Sequence, residues 1–345
     1  MPRVRYRITN TSLYREQSAP YGLFSQRWKT MDLIDITNWA SEETRTIEMS
    51  LKFLHAPYQV RVRKFHPLPG DMINEQWIKD GEIVKYPLQP YGIANMEEAA
   101  LSISNMVDRE VGNYLVHTVG DLRADSLIWE KYLAAFRGAS SAPTLKEQRL
   151  LFDTLRLWVM CRVTSNFEHI VGDDKLGVSP VDDEDSPYYG SVPPCGVMSA
   201  QLECIYYTEF LRPLSKKVLL SLMMLIDGKK PGDWYTIYLV LFMMLHSCSM
   251  TSRRDMEYAA TLNLPVKFCN YDSIRQHNAG STTLLAHYHQ ALPGSLPFKL
   301  ALEGRHADLA SMGVSKQEDK NFITKSAQRA AEFSKNPALF RTEIG

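Results

Sequence analysis

Residues 234–260 read WYTIYLVLFMMLHSCSMTSRRDMEYAA, and the reading of this stretch decides the fold. From Trp234 to Ser252 nineteen consecutive residues carry no formal charge, which on length alone would allow a membrane span. The run also carries Tyr235, Tyr238, His246, Ser247, Ser249 and Thr251, and its strongly apolar part ends near Leu245. A short apolar segment of this kind fits a helix buried inside a protein, so no membrane segment is expected. His246 and Cys248 stand two positions apart. On a helix such residues do not face each other, so they read as a core histidine and a buried thiol, not as base and nucleophile. Arg253 and Arg254 read as charges beyond a helix junction, with a new helix starting near Ser252 and Asp255 three residues on.

Helical patterns continue on both sides of this segment. Upstream, the turn GKKPGD (228–233) separates it from a helix over Pro213–Ile226 with Leu214, Val218, Leu222 and Leu225 inside. Ser199–Phe210 is another. Thr144-Leu-Lys-Glu147 has the form of a capping box and opens a long helix with Leu151, Leu155, Trp158, Val159 and Val163 on one stripe. Asn95 followed by Glu98 repeats that signature, with helix through Val107. Leu122–Phe136 reads as a helix broken after Gly138 by a small-residue linker to Pro143. Downstream, helices are expected over Ile274–Gln290 and about Ile323–Phe333. Residues 172–194, GDDKLGVSPVDDEDSPYYGSVPP, are acidic and rich in glycine and proline, and read as a surface loop or partly disordered insert.

The N-terminal part has a different period. Ile47, Met49, Leu51 and Phe53 alternate with polar residues, and Tyr58, Val60 and Val62 do so after His55-Ala56-Pro57. Period two on each side of a short link predicts an antiparallel hairpin near 46–65, closed off by Pro67, Pro69 and Gly70. Val4, Tyr6 and Ile8 suggest a further strand. The expected fold class is therefore mainly α: a large all-helical domain over 95–345, with the acidic surface loop 172–194, carrying a small antiparallel β element within an N-terminal segment 1–94.

Composition limits the function classes. Lys plus Arg equals Asp plus Glu at 39 each, so no overall field draws nucleic acid or an anionic membrane. Residues 1–66 carry a mild basic excess of five. Arg3, Arg5 and Arg7 on one strand face, with Arg61, Arg63 and Lys64, would suit phosphates, yet no base-stacking motif accompanies them. Cys161, Cys195, Cys204, Cys248 and Cys269 are odd in number and widely spaced, with no CxxC pair, which speaks against a disulfide framework or a cysteine-rich zinc module. The N-terminus has no apolar secretory segment. His277, His287 and His289 lack a metal-binding pattern, and Asp173, Asp174, Asp182, Asp183, Glu184 and Asp185 lack the order of a calcium loop. No phosphate loop, dinucleotide fingerprint or nucleophile elbow occurs. No catalytic, cofactor-binding or metal-ligating residue is assigned, no cofactor is expected, and the chain reads as a non-enzyme. The alternative is a helical enzyme whose site would gather His246, Cys248, Arg254 and His287 in one pocket. An apolar cavity lined by Trp158, Met160, Met223, Met243 or Met244 would instead mark a ligand sensor.

Three helical stretches, DTLRLWVMCRVTSNFEHIVGDDKLG (153–177), QLECIYYTEFLRPLSKKVLLSL (201–222) and WYTIYLVLFMMLHSCSMTSRRDMEYA (234–259), resemble the region that follows the DNA-binding module in fungal Zn2Cys6 transcription factors. MDLIDITNWASEETRTIEMSLKFLHAPYQVRVRKFHPLPGD (31–71) is similar to the segment linking the two in that family. The family's zinc cluster needs six cysteines of the form CxxCx6C repeated once, and no cysteine precedes Cys161. The resemblance thus implies a regulatory, protein-interaction region: a helical body open to a homodimer or another protein partner and to a small-molecule effector. It implies a nuclear setting, with the cytoplasm as the alternative, and it does not carry over direct DNA binding.

Overall fold

Alternating burial builds the β element as the sequence pattern requires. In β1 (Trp39–Ser50) and β2 (Tyr58–Phe65) the residues Ile47, Met49, Tyr58, Val60 and Val62 are buried, and they pair antiparallel with Ile47 opposite Val60 and Met49 opposite Tyr58. The structure, a computed structural model, describes residues 7–14, 24–51, 53–120, 126–261, 265–291 and 296–335. It is mainly α-helical with a small N-terminal antiparallel β element. The chain forms two compact units: Tyr14–His117 with Arg156–Ser215, and Met1–Leu13 with Thr118–Leu155 and Lys216–Gly345.

The sheet lies in the first of these units. Two short strands complete it, β5 (Tyr91–Ile93) on β2 and β6 (His169–Val171) on β1, giving the order β5-β2-β1-β6. A second, two-stranded sheet pairs β3 (Asn74–Lys79) with β4 (Glu82–Pro87). Its tight turn, Asp80-Gly81, has positive φ at both positions, as a two-residue hairpin turn requires. α1 (Met96–Val119) begins where expected, the Glu98 amide donating to Asn95 Oδ1 at 2.7 Å, and runs well past Val107. In α4 (Gly196–Ile205) the side chain of the fully buried Gln201 behaves as a strand backbone would. Its Oε1 accepts from the Ile93 amide at 2.6 Å and its Nε2 donates to the Ile93 carbonyl at 3.0 Å. A Cβ at Gly92 would meet the tip of Ile36 at 2.5 Å and Gln201 Oε1 at 3.0 Å, so a side chain there would displace these neighbours.

The acidic segment 172–194 forms no helix or strand and is largely exposed, and its apolar residues anchor it. Val181, Tyr188 and Val192 are buried, and Val181 and Tyr188 pack with Trp77, Val84 and Tyr86 of the second hairpin. Its carboxylates are used in pairing: Asp183 accepts from Trp77 Nε1 at 3.0 Å and Lys79 Nζ at 2.9 Å, and Asp174 binds Arg45 at 2.5 Å. The proline and glycine content marks turns, which a folded excursion needs as much as a disordered one does.

The other unit contains α2 (Ser126–Ser141), most of α5 (Arg212–Gly228), α6 (Trp234–Thr261), α7 (Tyr271–Ala291), α8 (Leu296–Leu302), α9 (His306–Ser311) and α10 (Gln317–Lys335), with the opening turns of α3 (Leu145–Val163). Its core centres on the fully buried Trp234, stacked on Tyr238 with Phe298 edge-on to both, while Trp234 Nε1 donates to Tyr288 Oη at 2.9 Å. Several boundaries differ from expectation. α2 continues through Gly138 to Ser141. α6 is one helix of 28 residues with no new start near Ser252, because Thr251 returns its hydroxyl to the Ser247 carbonyl at 3.0 Å instead of capping. α4 and α5 are continuous through a π-helical turn, Tyr206–Leu211, and this widening immediately precedes Pro213, which cannot supply an N–H to a regular ladder. Ile8 begins a short 3-10 turn, not a strand, and Val4 and Tyr6 lie outside the described residues. No helix among the described residues is long and apolar enough to cross a membrane.

One ion pair fixes the segment preceding the sheet. Arg27 grips the buried Asp71 through Nε and Nη2, the latter at 2.7 Å, and reaches Asn38 Oδ1 at 2.8 Å. Burial opposes the charge on Asp71, but hydrogen bonds from Arg27, the Leu68 amide and Ser25 prevail and hold its carboxyl below the usual range. Removing the cation strands a buried carboxylate. Arg27→Met is expected to cost about 3 kcal/mol in urea unfolding at pH 7. That cost should shrink toward acid pH, where Asp71 takes up a proton; an unchanged cost at pH 3 would sink the argument.

Candidate functional site

Helix ends meet around a cleft in the α2–α10 unit. The C-terminal turn of α2 contributes Arg137, Gly138 and Ser141, and the start of α3 contributes Glu147 and Leu151. The first turns of α6 bring Tyr235, Thr236 and Leu239, the α9–α10 connection brings Gly313, Ser315 and Lys316, and the first turn of α10 brings Glu318 and Asp319. The enclosed space amounts to ≈ 70 Å³ and opens to solvent on one side. Gly313 adopts φ +90°, and a Cβ there would lie 2.3 Å from the Gly232 carbonyl oxygen, so this wall needs glycine.

The acids of the cleft follow from local helix physics. Three helices present their N-termini here, each a positive end with unsatisfied amides. Glu147 forms the capping box expected of it: its Oε2 accepts from the Thr144 amide at 3.0 Å and hydroxyl at 2.8 Å, while its own amide donates to Thr144 Oγ1. Its other oxygen accepts from Thr236 Oγ1 of α6 at 2.9 Å. Glu318 and Asp319 stand in the first turn of α10, and Asp233 at the start of α6. Burial raises the carboxyls of Asp319 and Asp233, with the charge of Glu147 adding to the second. Tyr235 Oη donates to Asp319 Oδ1 at 2.8 Å, and Arg137 pairs with Glu318 at 2.6 Å. Lys316 Nζ donates to Ser141 Oγ at 2.9 Å and forms no ion pair among the described residues. Charges of both signs and hydroxyls therefore line one cleft, able to hold a small molecule that presents a donor at Asp319 and an acceptor at Lys316.

A second polar centre lies within the sheet-containing unit. Glu168, just before β6, is buried with its carboxyl between two tyrosines: Tyr58 Oη donates to Oε2 at 3.0 Å and Tyr206 Oη donates to Oε1. Tyr206 opens the π-helical turn, a distortion that recurs at functional positions. The phenol oxygen of Tyr114 is buried nearby with no hydrogen-bond partner among the described residues, and Arg162 is also buried. Burial pushes Glu168 up to about 7, a rise that the two tyrosine hydrogen bonds only partly offset.

The chemistry-bearing residues singled out in the sequence are not drawn together. His246 Nδ1 shares a 2.7 Å hydrogen bond with Tyr132 Oη, while Cys248 Sγ lies 3.3 Å from the Leu13 carbonyl oxygen. Neither lines the cleft, nor do Arg254 and His287. Arg253 pairs with Glu257 four residues on, and His277 is buried beside Ser273. Trp158 and Met160 are buried in one unit, Met243 and Met244 are buried in the other, and Met223 is half-buried. Cys195 and Cys204 have thiols pushed by burial up to about 11, the reverse of an activated nucleophile. Arg7 is exposed; Arg3 and Arg5 lie outside the described residues. Among the described residues no group of three His, Cys, Asp or Glu is arranged to hold a metal. Of the residues that do form the two centres, Glu147 was legible as a cap, whereas Asp319 and Glu168 carry no local motif.

Glu168 gives a stability signature. Its folded value lies above the unfolded one, so the folded state holds a proton that the unfolded chain releases. Stability is then greatest below about pH 4.5, falls as pH rises toward 7 and levels off above, by on the order of 3 kcal/mol across the window. Glu168→Gln keeps the shape and removes the titration. Its unfolding free energy should exceed the parent's at pH 8 and match it at pH 4.5; parallel pH profiles for the two proteins would refute this.

No curated protein and no solved structure matches the sequence. A family match does, to the KpeA transcription factor over residues 18–332, and the chain belongs to that family.

Proposed function

We propose that this protein is the regulatory, protein-interaction region of a transcription factor, and that the cleft between α2, α3, α6 and α10 receives a small polar effector. The observation that carries the reading is a cleft lined by Lys316, Glu318 and Asp319 from the start of α10 and by Arg137 and Ser141 from the end of α2, in a member of a transcription-factor family. An effector seated there bridges the first turn of α10 and the last turn of α2, and it changes the free energy of the surrounding helices by its differential affinity. Catalysis forms no part of this reading. DNA contact through a zinc binuclear cluster of these residues forms none either, since the five cysteines are spread from 161 to 269 and four are buried. Nuclear residence and pairing with a second copy or another regulator belong to the same proposal.

The test is thermal unfolding with a panel of amino acids, polyamines, organic acids and nucleotides at millimolar concentration, followed by native mass spectrometry. A compound at ~100 times its Kd should raise the midpoint by about 5 °C. The rise should vanish in a Lys316→Ala/Asp319→Asn double variant that unfolds at a similar temperature by itself. If no compound shifts the parent, or if the shift survives in the double variant, the cleft is not the effector site.

A further inference from the structure

The opening turns of α3 and the body of α5 carry an exposed face that combines apolar and cationic side chains. On α3, Leu145 is 69% exposed, Phe152 is 38% exposed, and Arg149 is exposed between them. Seven-residue spacing places Leu145 and Phe152 on one stripe. On α5, Leu220 and Met224 are 44% and 59% exposed, one turn apart and following the exposed Lys216 and Lys217. The two stripes adjoin, because Lys217 Nζ reaches Asp153 at 2.7 Å, next in sequence to Phe152.

The charge on this face is one-sided. Lys146, Arg149 and Lys216 are exposed and form no ion pair among the described residues. The acids of α3 are already engaged: Glu147 caps the helix, and Asp153 is buried against Lys217. On α5 the sole acid is Asp227, beyond Met224 at the far end of the helix. A second copy laid on this face would set lysines and arginines against their equals, which like-charge repulsion opposes. The fitting occupant carries carboxylates around an apolar stripe.

We propose that the α3–α5 face docks an acidic amphipathic segment of a partner protein, its leucine or aromatic side chains seated between Phe152, Leu220 and Met224 and its carboxylates paired with Lys146, Arg149 and Lys216. This is helix-on-groove recognition read by anchors three and four residues apart, with the charges setting partner choice and association rate. The surface lies apart from the residues that line the effector cleft, except that α3 contributes to both through opposite faces: Glu147 and Leu151 to the cleft, Leu145, Arg149 and Phe152 to this face.

The experiment uses the full chain and a fluorescent synthetic peptide of about 18 residues, with Glu and Asp on one helical face and Leu and Phe on the other. Fluorescence anisotropy should show saturable binding that weakens between about 50 and about 300 mM salt. Leu220→Glu/Met224→Glu and Arg149→Glu/Lys216→Glu should each weaken it at least about tenfold. Lys299→Glu on α8 should leave it unchanged, and circular dichroism checks that each variant is folded. A peptide of the same apolar face with Gln and Asn for the acids should bind far less. The proposal is overturned by no saturation up to about 1 mM peptide. Affinity unchanged in both double variants overturns it, as does light scattering that shows a dimer dissolved by those same variants, which would mean that a second copy covers this face.

Discussion

A single buried carboxylate organises the unit built on α2, α6 and α10. Glu147 is 3% exposed, and its two oxygens serve different helices: one closes the capping box of α3, the other accepts the Thr236 hydroxyl in the first turn of α6. Helix N-termini carry orphan amides and a partial positive charge, so bringing several together is unfavourable unless anions sit among them. Glu147 supplies that anion for α3 and α6, and Asp319 with Glu318 supplies it for α10. The cleft follows from this arrangement. Side chains that neutralise helix ends cannot also fill the space between those ends, and Gly138 and Gly313 keep its walls low. Mutual repulsion among the acids is relieved from outside, by Arg137 on Glu318 and by the neighbouring charge of Lys316.

The sheet-containing unit handles buried charge in two contrasting ways. Asp71 is met by an arginine with fixed fork geometry, a hydroxyl and a backbone amide, so ionisation is favoured despite burial. Glu168 is met by two phenols and by no cation in bonding range among the described residues, and burial wins. The difference in partners sets the difference in direction. One carboxyl ties a loop down at every pH above the acid range, and the other changes its charge near neutrality inside a packed core.

Much of the fold was legible in the residues. Period-two alternation identified β1 and β2, and Asn95-Glu98 and Thr144-Glu147 marked two helix starts by the side chains that cap them. Each of these signals is local, since a few adjacent residues state both the element and its boundary. Misreadings arose where a local signal had two meanings. Ser249–Ser252 can cap a helix or return hydroxyls to the preceding turn, and α6 takes the second course. Glycines, prolines and acids in 172–194 fit disorder as well as a turn-rich excursion, and the choice was made by Trp77 and Lys79, about a hundred residues away. The Asp80-Gly81 turn is the local sign of the second hairpin. Neither centre could be read from spacing, because Glu168 meets Tyr58 and Tyr206, and Asp319 meets Tyr235, only after the chain has returned from far away in sequence.

The histidine and thiol of the opening segment show why composition misleads about chemistry in a helical body. An apolar helix of 28 residues has to place its polar side chains somewhere, and each finds the nearest acceptor or donor its turn allows: His246 a tyrosine, Cys248 a backbone carbonyl, Thr251 its own preceding turn. Satisfying buried polar groups one by one disperses them around the helix. A binding site needs the opposite, several polar groups left facing a common space. In this protein that occurs at the start of α6 and not along its length, because helix termini expose backbone charge that a side chain alone can meet from the open end. The same stretch that reads as the core of the fold thus contributes its first turn, Tyr235 and Thr236, to the cleft, while its histidine and cysteine stay within the packing.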